Sequence, residues 1–191
     1  MRQQHSPSAP AGWRHLFWLA LLVGASIAFS LGLACAIPFA AFAAAAALTL
    51  SRRDALVLIL AVWFANQLVG FTVLGYPWTA NTFAWGVALG AVAIVTTLAG
   101  QWTERRSIGV ARALSFAATF LIAFAVYEAA LFTISFALLG GTEVFTAAIQ
   151  GRMFAINGVV FVALLALNRL AVSVGLVSKP ALALSMTERH A

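Results

Sequence analysis

Residues 63–85 read WFANQLVGFTVLGYPWTANTFAW, and this stretch decides the fold. An apolar run carries Asn66 and Gln67 well inside it, breaks at residues 75–78, and then resumes as a second apolar run. We interpret the stretch as two membrane-spanning helices joined by a tight, aromatic-rich turn. The two amides then lie where an unpaired polar group costs free energy, which marks this hairpin as the part of the chain to examine first.

The composition of the whole chain supports a membrane protein. Of its 191 residues, 63% are hydrophobic and only 8% are charged, whereas soluble domains carry about 25% charged residues. Apolar runs of 18 or more residues recur, and they are continuous, unlike the alternating pattern of a β-barrel strand. The sequence therefore predicts an all-α, polytopic membrane protein with a six-helix transmembrane bundle.

The predicted helices cover residues 16–34, 38–50, 55–74, 79–100, 108–139 and 144–174. Residues 1–12 are expected to form a disordered cytoplasmic lead, residues 13–177 the transmembrane domain, and residues 178–191 a cytoplasmic tail. A cleaved signal peptide is the alternative for the first apolar run, but that run is longer than the usual apolar region of about 7–15 residues. One long, proline-kinked segment over residues 16–50 is another alternative, and it would leave five spans.

Charge favours six spans. With an even number of crossings, every basic residue except Arg152 falls on one side of the membrane, and the positive-inside rule makes that side cytoplasmic. The sequence thus predicts a multi-pass protein of a bacterial-type inner membrane with both termini inside. The net charge of +6 does not indicate nucleic-acid binding, because the basic residues are scattered at helix ends rather than gathered in a patch.

The first candidate site residues share one helix face. Trp63, Asn66, Gln67 and Gly70 follow the spacing i, i+3, i+4 and i+7. They predict either a ligand wall, with an indole for stacking and amides for orientation, or hydrogen bonds that hold two helices together. The rim of the same site would comprise Tyr76, Trp78, Asn81 and Trp85, although such aromatic residues are also expected at any membrane interface.

A second set of candidates is charged or polar and lies further along the chain. Glu128 stands inside an apolar run, and an ionisable residue in that position is a functional candidate. Arg152 is its expected partner, with Asn157 one to two turns beyond. Three interpretations stay open: a structural ion pair, a pair that meets a ligand or proton, and independent roles with Arg152 extended towards the interface.

Other chemistry is predicted to be absent. Cys35 is either a soft-metal ligand or, more simply, a small apolar filler. The three histidines are near the termini, and no metalloprotease or phosphate-binding motif occurs. We expect no metal, no cofactor and no enzymatic activity; an intramembrane enzyme with Glu128 as general base would need a polar cluster that the sequence does not contain.

The chain resembles the substrate-binding S component of an energy-coupling-factor vitamin transporter. The resemblance rests on its small size, its six predicted spans with both termini inside, a stripe of alanines four residues apart in the second predicted helix, and outward aromatic and amide residues. The resemblance implies that a vitamin binds near the outer face of the bundle. It also implies docking on a transmembrane coupling subunit, with ATPases, through small residues, which in this chain fall in helix 2: Ala40, Ala43, Ala44 and Ala47. The predicted function is uptake of a vitamin or its precursor, and the alternative is a non-transporting scaffold that holds a partner through that alanine-rich helix.

Overall fold

The computed structural model describes residues 11–32, 38–107 and 109–177. Over these ranges the chain is helical, and no strand occurs in them. The predictions for residues 1–10, Cys35 and residues 178–191 fall outside the described residues. The six α-helices are α1 Ala11–Gly32, α2 Phe39–Thr49, α3 Arg52–Thr72, α4 Ala80–Arg106, α5 Arg112–Ile134 and α6 Ala147–Ser173.

Five of these helices are long and apolar enough to cross a membrane. The exception is α2, whose 11 residues span about 16 Å at 1.5 Å per residue, against about 30 Å for a hydrocarbon core. The fold is therefore that of a multi-pass α-helical membrane protein, as predicted in outline. Of the six helices in the described ranges, α2 is too short to count as a full span.

The short helix α2 forms the centre of the bundle. Every residue from Phe39 to Ala47 is buried, and α2 packs against α3, α4, α5 and α6. Alanine side chains permit this because they let neighbouring helices approach closely. At one such approach the Cβ of Ala47 lies 3.1 Å from where a Cβ would stand on Gly100, so only glycine fits there without a shift.

This burial corrects the predicted docking stripe. Ala40, Ala43 and Ala44 have no exposed surface, and Ala47 has 6%. These alanines pack within the chain, so α2 presents no exposed alanine face to another subunit. The prediction treated small residues as an external surface, whereas here they fill the crowded interior between four helices.

The helices alternate in direction. The Nε2 of His15 lies 3.3 Å from the Oδ1 of Asp54, and the Oγ of Ser30 lies 3.5 Å from the Oδ1 of Asn66, so α1 and α3 run parallel side by side. Because α1 and α3 start at the same end, α2 must return between them. A single kinked helix over residues 16–50 does not fit this arrangement, and α1 and α2 are separate helices.

The remaining helices complete the alternation. Phe120 stacks on Phe161 with ring centroids 5.0 Å apart, and Phe124 meets Phe154 at 5.1 Å, so α5 and α6 are antiparallel. A side-chain nitrogen of Arg14 donates a hydrogen bond to the carbonyl of Gly175, which joins the start of α1 to the residues after α6. We call this end, where α1, α3 and α5 begin, the arginine end. The opposite end, formed by residues 73–79 and 140–146, is the aromatic end.

The end of α4 differs most from the sequence-based prediction, whereas the end of the helix that contains α5 agrees with it. Helix α4 continues to Arg106 instead of ending at residue 100, because Gln101 and Thr103 are buried and no residue there breaks a helix. Helix α5 closes with a π-turn over Ser135–Leu139, in which the Oγ of Ser135 donates to the carbonyl of Gly140 at 2.6 Å. The predicted stop at residues 140–141 is confirmed, since both glycines have positive φ.

Candidate functional site

A cavity of about 150 Å³ lies towards the aromatic end, where α3, α4 and α5 meet the start of α2. We call it the inner cavity. The first residue of α2, Phe39, lines the cavity together with Asn66, and α3 continues beyond Asn66 to Thr72. The start of α2 therefore closes the inner side of the cavity. The residues that line it are Phe39, Asn66, Gln67, Tyr76, Thr82, Trp85, Gly86, Leu89 and Tyr127.

The inner cavity brings together four of the site residues predicted from the sequence: Asn66, Gln67, Tyr76 and Trp85. They come from α3, from the turn after it, and from α4. The residues converge because the chain reverses at Gly75, which has positive φ, and this reversal brings the start of α4 back beside the amides of α3.

Glycines make room for two of these side chains. A Cβ on Gly70 would stand 2.3 Å from the Tyr76 ring, whose own backbone N–H donates to the Gly70 carbonyl at 3.0 Å. A Cβ on Gly86 would stand 2.8 Å from the Oε1 of Gln67. The position of Tyr76 therefore depends on the glycine at residue 70 of α3, and that of Gln67 on the glycine at residue 86 of α4.

Asn66 carries the least satisfied polar group at the cavity. The residue is 3% exposed, and its Oδ1 receives only the long contact from the Oγ of Ser30 at 3.5 Å. Its Nδ2 has no hydrogen-bond partner among the described residues. A buried amide donor without an acceptor is costly, so this nitrogen is suited to an acceptor supplied by a ligand.

Trp63 serves the contact between α3 and α4 rather than the cavity wall. Its Nε1 donates to the carbonyl of Gly86 at 2.8 Å, and a Cβ on Gly90 would stand 2.9 Å from its ring. Of the two interpretations left open for this helix face, Trp63 takes the role of holding two helices together. Asn66 and Gln67, one turn further along, face the cavity.

A second, wider hollow of about 490 Å³ opens at the aromatic end. We call it the outer hollow. Trp85 and Leu89 line both the hollow and the inner cavity, so the two spaces are neighbours across these side chains. The other residues that line it are Asn81, Leu131, Leu139, Gly140, Gly141, Glu143, Val144 and Phe145.

Trp78 stands outside both spaces. It is 76% exposed and packs with Phe71 and Phe83, at ring-centroid distances of 5.2 and 5.8 Å. These contacts are typical of an interfacial anchor. Asn81, by contrast, is on the wall of the outer hollow, as the prediction of a rim required.

The expected ion pair between Glu128 and Arg152 is not formed. Within the described ranges the ion pair within 4.0 Å is that of His15 and Asp54. The carboxyl group of Glu128 interacts instead with the side chain of Gln150 on α6, and Arg152 is exposed. Neither residue lines the inner cavity or the outer hollow, so of the three interpretations the structural ion pair is excluded in this conformation.

Asn157 has a different role from the predicted one. Its Oδ1 accepts a hydrogen bond from the backbone N–H of Ala41 at 3.1 Å, and its Nδ2 donates to the carbonyl of Met153 at 3.0 Å. Ala41 belongs to the first turn of α2, where backbone N–H groups lack partners within the helix. Asn157 therefore fixes the end of α2 that borders the cavity, without lining the cavity itself.

The lining residues that were not predicted from the sequence include Phe39, Thr82 and Tyr127 in the inner cavity and Glu143 in the outer hollow. Tyr127 directly precedes Glu128, so a polar pair in an apolar run was the available signal; the prediction named Glu128, whereas Tyr127 is the member that lines the cavity. No sequence pattern indicated Phe39, because its place at the cavity depends on how far along the bundle α2 begins.

Comparison with known protein families, with curated proteins and with solved structures found no match to this chain.

Proposed function

We propose that the protein binds a small, partly aromatic molecule, such as a vitamin or its precursor, and takes part in its uptake across the inner membrane. The observation that carries the proposal is the convergence of Asn66, Gln67, Tyr76 and Trp85 on one cavity. Ligand sites are concave, mostly apolar and aromatic, with a few polar groups that orient the ligand, and the inner cavity has this character.

The two spaces together fit such a ligand in size. A cavity of about 150 Å³ holds one six-membered ring, as an engineered cavity of that volume holds benzene. Complete sites for drug-sized molecules occupy about 300–1,000 Å³, so the outer hollow would take the rest of the molecule. Trp85, which borders both spaces, would contact the ligand at the junction.

The direction of uptake follows from the basic residues. Arg52, Arg53, Arg105 and Arg106 lie near the arginine end, which the positive-inside rule assigns to the cytoplasm. The aromatic end would then face outward and admit the ligand. Passage inward would require partner subunits, as the resemblance to an S component implies, namely a transmembrane coupling subunit and ATPases.

The scaffold alternative receives no support from a specific surface. It requires the alanines of α2 to hold a partner, and these alanines are buried within the bundle. A coupling subunit would likewise need a docking surface other than α2.

A ligand screen tests the proposal. The full chain in detergent would be heated with vitamins and precursors that contain an aromatic ring, and the unfolding midpoint recorded. We expect at least one compound to raise the midpoint for wild type and for Trp78→Ala, but not for Trp85→Ala. No stabilising compound, or equal stabilisation of Trp85→Ala, would contradict the proposal. Uptake of that compound by an auxotroph that carries the wild-type chain, and loss of uptake with Asn66→Ala at normal protein amounts, would show that the bound compound is also transported.

A further inference from the structure

The start of α2 is the positive end of a helix, buried at the inner cavity. The first hydrogen bond within α2 runs from the N–H of Phe42 to the carbonyl of Pro38 at 3.1 Å. The N–H groups of Phe39, Ala40 and Ala41 therefore have no acceptor inside the helix. Phe39 and Ala40 are fully buried, and the chain supplies Asn157 for Ala41. Such a helix end attracts acceptor oxygens and negative charge.

A second observation points to a ligand at the same place. The Nδ2 of Asn66 is a buried hydrogen-bond donor without a partner among the described residues, and Asn66 lines the inner cavity together with Phe39, the first residue of α2. The amide belongs to α3 and the helix end to α2, so the two features arise independently. The Asn66 amide lacks an acceptor, and a ligand oxygen that accepts from it would also lie beside the start of α2.

The rest of the lining determines which acceptor it is. No residue that lines the inner cavity is charged, so an anion meets no like charge on its wall, and the acidic residue Glu143 lines the outer hollow instead. Thr82 and Tyr127 add hydroxyl groups, and the rings of Phe39 and Trp85 offer aromatic surface. A carboxylate presents two oxygens in one plane with the ring that bears it, which allows simultaneous contact with a helix end and a side-chain amide while the ring packs on aromatic neighbours.

We propose that the inner cavity is a carboxylate subsite, in which the acid group of a single-ring aromatic acid meets the Nδ2 of Asn66 and the start of α2. The inference deepens the proposed function and rests on it, because it names the chemical class of the molecule. The ring occupies the cavity of about 150 Å³, and any further substituent extends past Trp85 into the outer hollow.

Fluorine NMR of two matched probes tests the inference. The full chain would be placed in phosphatidylcholine nanodiscs and titrated with 4-fluorobenzoate and with 4-fluorobenzamide, which has the same ring but no charge. Empty nanodiscs measure partition into lipid, which is subtracted. We expect 4-fluorobenzoate to bind at least about ten-fold more tightly than the amide, because a hydrogen bond to a charged group is worth more than one to a neutral group.

Two asparagine variants locate the subsite. Asn66→Leu should weaken 4-fluorobenzoate binding by roughly ten-fold or more, since the donor is lost. The matched control is Asn168→Leu, because Asn168 is another amide with a buried, unpartnered atom, but it lies beside Trp18 and Thr49 towards the arginine end. This variant should bind 4-fluorobenzoate as wild type does, and the unfolding midpoint of each variant, measured in detergent, shows whether its fold is intact.

The outcomes separate the two proposals. Equal affinity for both probes, or unchanged benzoate binding in Asn66→Leu, would overturn the carboxylate subsite while leaving a ring-binding cavity in place. Absence of saturable binding for both probes would overturn the subsite and, together with an empty vitamin screen, the proposed function. Preferential benzoate binding that Asn66→Leu removes and Asn168→Leu retains supports the subsite.

Discussion

The Oδ1 of Asn157 accepts a hydrogen bond from the backbone N–H of Ala41 at 3.1 Å, so a side chain of α6 caps the first turn of α2. Pro38, at the N-cap position, supplies no such bond from its own side chain. In a hydrocarbon setting no water can take over this N–H, and the position of α2 in the bundle is therefore tied to α6 through one amide.

Replacement of Asn157 by leucine should destabilise the protein. The change leaves the Ala41 N–H without its acceptor, and an unsatisfied buried donor costs about 1–3 kcal/mol. Thermal unfolding of the full chain in detergent would measure the loss as a lower midpoint. Asn168→Leu is the control and should not lower it, because the Oδ1 of Asn168 has no partner to lose. Equal midpoints for Asn157→Leu and wild type would mean that α2 is held without this cap.

Two glycines in long helices should respond oppositely to alanine. A Cβ at Gly90 would stand 2.9 Å from the Trp63 ring, and the ring is held by its hydrogen bond to Gly86. Gly90→Ala should therefore cost about 1–3 kcal/mol through overpacking between α3 and α4. Gly24 in α1 has no heavy atom within 4 Å of such a Cβ, and Gly24→Ala should be neutral or stabilising by up to about 1 kcal/mol. Unfolding midpoints of the two variants decide this, and tolerance of Gly90→Ala would contradict the close contact.

The two ends of the bundle should differ in their access from outside the cell. In a Cys35→Ala background, Trp78→Cys at the aromatic end should react with a membrane-impermeant maleimide in intact cells, because Trp78 is exposed. Arg53→Cys, at the start of α3, should react only after the cells are broken, because the positive-inside rule places this end in the cytoplasm. The reverse pattern would invert the orientation and with it the direction of ligand entry.

The sequence predicted the helical membrane class and most of the helix bounds because each apolar run is continuous and ends at arginines, glycines or proline. It also predicted that Asn66 and Gln67 lie on one face of α3. The reason is that they stand three and four residues after Trp63, and residues at these spacings share a helix face. Trp63 shares this face as well, and its indole is nevertheless taken up by the facing helix at Gly86. Helical spacing defines which residues share a face, but not how far each lies from the next helix.

The depth of α2 could not be predicted, because it depends on contacts between residues far apart in the chain. Asn157 and Ala41 are separated by 116 positions, and neither has a local pattern that announces the cap. The same holds for the alanines of α2. Small residues indicate a close contact between helices, but only the packing of α4, α5 and α6 around α2 shows that this contact lies within one chain. The predicted ion pair of Glu128 and Arg152 was wrong for a similar reason. The side chain of Glu128 interacts with Gln150, and Arg152 does not form an ion pair with it.

The most direct test of a ligand site in the inner cavity is anomalous diffraction from crystals of the full chain grown with 4-bromobenzoate. The account predicts a bromine peak inside the space bounded by Phe39, Asn66 and Trp85, and no such peak in crystals of Trp85→Ala. Bromine peaks only on the lipid-facing surface of the helices, with the inner cavity without one at saturating ligand, would contradict it.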